Sequence, residues 1–77
     1  MKEGITSYIH LDEVAIEILK ETRIKMSASQ IVDRIVQHYK VGKIALSPHI
    51  IAGRFRGMPH IKKTIPSRGP QLYEYVE

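Results

Sequence analysis

A helix-start signal and a helix-stop signal, about ten residues apart, constrain the fold of this chain more than any other feature. Ser47-Pro48 sets a capping hydroxyl ahead of a proline at the first helical position, where the missing N–H breaks no hydrogen bond. The helix continues through His49-Ile-Ile-Ala-Gly-Arg-Phe-Arg56, and Gly57 and Pro59 stop it. Beyond it, His60 to Ile65 and Gln71 to Val76 read as strands joined by the turn-forming run Pro66-Ser-Arg-Gly-Pro70. That is a hairpin with a long tip. Ile61, Ile65, Tyr73 and Tyr75 alternate along it, and the pattern does not say which tyrosine is buried.

Two more helices precede this unit. Leu11 to Thr22 carries Leu11, Val14 or Ala15, Ile18 and Leu19 at the spacing of one buried face. Asp12 and Glu13 are expected in its first turn, where the helix dipole favours them. Arg23 to Met26 is too short for a helix and alternates as a very short strand does. Ser27-Ala-Ser-Gln30 is a capping box for a second helix from about Ala28 to Tyr39, with Ile31, Val32, Ile35, Val36 and Tyr39 as its buried stripe. Lys40 to Leu46 reads as the connecting loop, with Gly42 suited to a left-handed position.

The order is helix, short strand, helix, helix, strand, loop, strand. Its 77 residues allow a single domain over 1–77, with residues 1–8 expected as a flexible N-terminal segment. With no cysteine, neither a disulfide nor a thiolate metal site reinforces so small a core. No apolar run approaches the roughly 20 residues of a membrane span, and Met1-Lys-Glu-Gly-Ile5 lacks the apolar stretch of a signal peptide. The expected location is the cytoplasm, associated with a nucleoid or within a host cell. The absence of Asn and Cys leans towards a thermophile.

Charge is distributed unevenly. Residues 1–22 hold two basic and five acidic side chains, whereas residues 23–70 hold ten basic ones against Asp33 alone. A basic middle behind an acidic first helix favours a polyanionic partner over a merely solvated lysine face. At about 100° per residue, Ile51 and Phe55 share the core face of the third helix, joined by Met58 just past its end. His49, Gly53 and Arg56 lie opposite, bordered by Ala52, and Arg54 falls at the flank. Small residues let a helix approach base edges closely, and an arginine can donate two hydrogen bonds to guanine. Arg54 is better placed for a phosphate, as are the free amides at Ser47-Pro48. A mid-helix glycine costs about 1 kcal/mol against alanine, so an exposed Gly53 suggests close approach of a partner. Lys62 and Lys63 on the hairpin and Arg68 at its tip add a second cationic element. A positive tip also protects an edge from aggregation.

These residues carry a resemblance that covers roughly residues 9–76. Met26 to Val36 resembles the second helix of winged helix-turn-helix DNA-binding regulators, Ser47 to Arg56 the recognition helix, and Ile61 to Tyr75 the wing. In its small free-standing form the chain resembles the winged-helix transcription regulators of archaeal viruses and plasmids. The resemblance implies an α+β winged-helix fold that binds double-stranded DNA and regulates transcription. His49, Ala52, Gly53 and Arg56 would meet base edges in the major groove, and the wing would meet backbone or minor groove. The connection between the second and third helices is longer than in a tight helix-turn-helix, and its Lys40 and Lys43 are expected at the DNA backbone.

Rival functions have weaker support. No catalytic constellation converges, and His10, His38, His49 and His60 fall on different elements, so neither an enzyme, a metal site, a cofactor nor a small-molecule ligand is expected. RNA binding would favour exposed aromatics for stacking. The main alternative is a winged-helix module for protein contact within a transcription or replication assembly, which would carry an apolar or mixed patch in place of the run of cations. Ile5, Tyr8 and Ile9 suit either a homodimer contact or a cover over the first helix.

Overall fold

In the computed structural model, which describes residues 2–77, the chain is an α+β fold of three helices and two small sheets. Helix α1 (Tyr8–Thr22) opens at a cap that the apolar spacing does not reveal: the Ser7 hydroxyl accepts from the His10 amide at 3.2 Å. The helix thus starts before Leu11, and Asp12 and Glu13 lie beyond its first turn, which holds no acidic residue. Leu11, Val14, Ala15 and Leu19 form its buried face. It ends at Arg23, where a φ of 55° lets the backbone N–H donate to the Leu19 carbonyl.

Strand β1 (Lys2–Ile5) stands where a flexible N-terminal segment was expected. It pairs in parallel with β3 (Tyr39–Val41), with Lys2 opposite Tyr39 and Ile5 opposite Val41, and the Gly42 amide adds a bond to the Ile5 carbonyl at 3.0 Å. Ile5 is fully buried, which places it in the core, while Tyr8 and Ile9 stay exposed. A Cβ on Gly4 would stand only 3.3 Å from the Lys40 carbonyl oxygen, so the absence of a side chain lets the two strands approach. The pairing also replaces the start of the expected 40–46 loop. In what remains of it the left-handed residue is Lys43, with φ 65°, and not Gly42.

The capping box on Ser27 and Gln30 forms as the sequence predicts and launches α2 (Ala28–His38). Ile31 and Ile35 are fully buried, but Val36, expected in the same stripe, is 53% exposed. It sits about 100° around the helix from Ile35, past the edge of the face formed by Ile31 and Ile35 with the partly buried Val32. Tyr39 leaves the helix in an extended conformation, with φ −131° and ψ 148°, and begins β3.

Helix α3 (Pro48–Phe55) is capped by the Ser47 hydroxyl, which accepts from the Ile50 amide at 3.2 Å. Ile51 and Phe55 are its buried anchors. Gly57, at φ 86°, supplies the left-handed turn that a side chain would oppose. The chain then enters β4 (Ile61–Thr64) and returns as β5 (Leu72–Tyr75). The antiparallel sheet has the order β2–β5–β4, where β2 is Met26–Ser27, so the last strand is the central one. The Val76 amide donates to the His60 carbonyl at 2.9 Å and continues the hairpin by one rung. Tyr73 is the buried tyrosine; Tyr75 is half-buried, stacked against His60 at 5.8 Å.

Candidate nucleic-acid interface

An open cleft of about 520 Å³ separates α3 from the hairpin. Its floor is apolar, formed by Phe55, Met58, Ile61 and Tyr73. One wall carries His49, Ala52, Gly53 and Arg56; the other carries Lys63 and Gln71. The register of the hairpin explains why Lys63 is there. Lys63 lies directly opposite Tyr73, and cross-strand partners share a face of the sheet. Tyr73 points inward against Phe55, with ring centroids 5.0 Å apart, so Lys63 is carried to the α3 side. Lys62 lies opposite Glu74, and side chains alternate along a strand, which turns Lys62 to the other face.

The residues singled out from the sequence therefore separate into groups. His49, Ala52, Gly53, Arg56 and Lys63 come together at the cleft. Lys40 belongs to β3 in the separate two-stranded sheet, and Lys43 to the connection that follows it; both are exposed and neither lines the cleft. Arg68 stands exposed beside Gly69 at the hairpin tip. The Ser47 hydroxyl serves as the helix cap.

Arg54, at the flank of α3, is paired within the chain. Its Nε donates to Asp12 Oδ1 at 2.8 Å and its Nη2 to Asp12 Oδ2 at 2.6 Å, a bidentate pair joining α3 to α1. The hydrogen bonding it donates to Asp12 raises the guanidinium above its ordinary pKa against a smaller opposing effect of desolvation, and Coulombic interactions with Asp12 and Tyr8 add to the rise. Helical spacing places Arg54 at the flank of the core face correctly, but a partner 42 residues away leaves no local signal in the sequence.

Two cleft residues escaped the sequence reading. The sequence pattern places Gln71 in a strand; in the structure it precedes β5, its Oε1 accepts from the Tyr73 hydroxyl at 3.3 Å, and the residue lines the cleft. Ile61 was read only as part of the hairpin alternation, and it forms part of the floor. Ile61 is turned towards α3 by the register of the hairpin, which the sequence does not state, and Gln71 lies just ahead of β5.

The electrostatics of the cleft are those of uncompensated cations. Among the described residues the ion pairs are Arg54–Asp12 and the exposed Arg23–Glu77, so neither Arg56 nor Lys63 faces a carboxylate partner. Gly53 between them is open: a Cβ added there would meet nothing within 4 Å. Among the described residues no close contact requires a glycine at this helical position. Among the described residues no three His, Cys, Asp or Glu side chains gather as metal ligands, and no helix is long and apolar enough to cross a membrane. Set against protein-family models, curated proteins and solved structures, the chain matches none of them.

Proposed function

We propose that the chain binds double-stranded DNA as a winged-helix transcriptional regulator, with α3 in the major groove and the β4–β5 hairpin as the wing. The observation that carries this is the convergence of Arg56 and Lys63, from two different elements and without acidic partners among the described residues, on a cleft beside the open Gly53. The order of three helices followed by a hairpin supports the winged-helix assignment. Arg56 supplies a forked donor suited to guanine, and His49 a second polar group on the same face. Lys63 neutralises a phosphate of the strand that runs through the cleft, and Arg68 at the tip reaches backbone or minor groove. Affinity then comes mainly from released counterions, and base preference from α3.

Gly53→Ala tests this directly, because its two expected effects have opposite signs. Alanine in a helix gains about 0.5–1 kcal/mol over glycine, and no neighbour obstructs the new methyl group. The free protein should therefore unfold at higher urea. If α3 approaches base edges closely, the same methyl group should weaken duplex binding. Arg56→Ala should weaken a preferred duplex by about 1–3 kcal/mol while changing a random one little. Wild type that fails to bind any duplex at low salt would overturn the proposal and redirect the cationic face to an acidic protein partner.

A further inference from the structure

Helix α1 holds α3 at two points near opposite ends. Towards the C-terminal end of α3, Arg54 forms its bidentate pair with Asp12, whose side chain is only 20% exposed. Ahead of the N-terminus, the Tyr8 hydroxyl accepts from the Ala45 amide at 3.3 Å, two residues before the Ser47 cap. The Tyr8 ring also lies 5.5 Å from the guanidinium carbon of Arg54. Tyr8 and Asp12 are one turn apart on α1, so a single face of that helix holds Arg54 in α3 and Ala45 in the loop that leads into it.

We infer that Asp12 and Tyr8 are positioning residues that set the aim of α3 through Arg54 and the Ala45 amide, and that Arg54 is not itself a DNA contact; this rests on the DNA binding proposed above. Two parallel bonds between a guanidinium and a carboxylate define a plane, so they restrain rotation as well as distance. Rolling α3 about its axis would carry His49, Gly53 and Arg56 away from the wall they share opposite Lys63. The alternative, in which Arg54 swings to a phosphate, leaves the Asp12 carboxylate without its partner on a face turned towards a polyanion. That exchange gives up a formed ion pair and adds a repulsion. The acidic residue in α1 and the arginine in α3 therefore act as one device.

The test uses the full chain with two duplexes of equal length: one selected by wild type from a random pool, and one of random sequence. Asp12→Ala, Arg54→Ala and the double variant are titrated at several salt concentrations, at a temperature where circular dichroism shows each to be folded. Each single variant is expected to lower the ratio of preferred to random affinity by at least about fivefold. The double variant should be no worse than either single one, because both remove the same restraint. Arg54→Ala should keep the wild-type salt dependence, and Arg54→Lys, which keeps the charge but loses the fork, should behave like Arg54→Ala. Where an alanine variant does not fold, Asp12→Asn and Arg54→Lys carry the comparison.

The inference is overturned if Arg54→Ala weakens both duplexes alike and reduces the salt slope by about one while Asp12→Ala strengthens both. Arg54 is then a phosphate ligand that Asp12 masks. If wild type binds no duplex, DNA binding itself fails, and positioning is read from backbone amide NMR spectra of the same variants. Matching shifts at His49 and across the cleft at Lys63, both away from the substituted positions, in both single variants uphold it. Shifts confined to the neighbours of residues 12 and 54 overturn it.

Discussion

Phe55 and Tyr73 meet with ring centroids 5.0 Å apart and planes inclined by 58°, and this contact joins α3 to the central strand of the sheet. Both rings are almost completely buried, at 4% and 5% exposure. They form the base on which the two walls of the cleft stand, so stability and the geometry of the candidate interface share one pair of side chains.

Truncating that pair should be severe. Phe55→Ala is expected to cost about 3–5 kcal/mol, a large share of the stability available to a domain of this size. Phe55→Leu, which keeps most of the volume, should cost about 1 kcal/mol. Urea titrations followed by circular dichroism measure both. Similar midpoints for Phe55→Ala and wild type would show that the ring contact does not hold α3.

The capping box at the start of α2 offers a cleaner measurement, because it can be changed without opening a large cavity. The Ser27 hydroxyl accepts from the Gln30 amide at 3.2 Å, while the Ser27 amide donates to Gln30 Oε1 at 2.9 Å. Ser27→Ala should destabilise the fold by about 1 kcal/mol, with Ser27→Asp recovering part of the loss. Equal unfolding midpoints for wild type and Ser27→Ala would argue that α2 does not depend on its cap.

At the end of α1 the expected effect is a gain. Arg23 holds a left-handed φ of 55° that glycine adopts without strain. Its ion pair with Glu77 spans 3.6 Å between side chains that are 73% and 72% exposed, an arrangement that contributes little. Arg23→Gly should therefore raise stability by about 0.5–1 kcal/mol. A lower melting temperature for the variant would mean that the guanidinium matters more than the backbone.

The Arg54–Asp12 pair carries an expectation about pH. Its hydrogen bond to Asp12 raises Arg54 above its unfolded value, so its contribution is fully present below that value and is lost only as pH rises through the folded one. Both lie far on the alkaline side. The difference in unfolding midpoint between wild type and Arg54→Ala should hence stay constant between about pH 6 and about pH 10. A difference that shrinks steadily over that interval would assign the effect to another group.

Local chemistry made much of the fold legible. Ser47-Pro48, Gly57 and the Ser27–Gln30 box each act within a turn of the residues they organise, and all three operate as their residue types dictate. The β1–β3 pair was not legible, because Lys2-Glu-Gly-Ile5 has a single apolar side chain and its partner lies more than 30 residues away. Tyr39 shows the same difficulty in reverse: its spacing from Ile35 fits a helix, yet pairing with β1 draws it into a strand. On the candidate interface, helical geometry groups His49 with Gly53, whereas Arg56 joins them from an extended position just past the end of α3. Separating Lys63 from Lys62 required the register of the hairpin, and separating Arg54 from Arg56 required a contact with α1.

The position of β5 between β2 and β4 has a consequence for how the protein is made. Tyr73, a core residue, is among the last to be synthesised of those described, and both neighbouring strands wait for β5 before they acquire partners. The three helices can form while the ribosome is still adding residues, but the sheet cannot assemble until β5 has cleared the exit tunnel. A nascent chain stalled before Leu72 should thus remain open to proteolysis, and one released beyond Val76 should become resistant. The sheet therefore closes only after all three helices have been made.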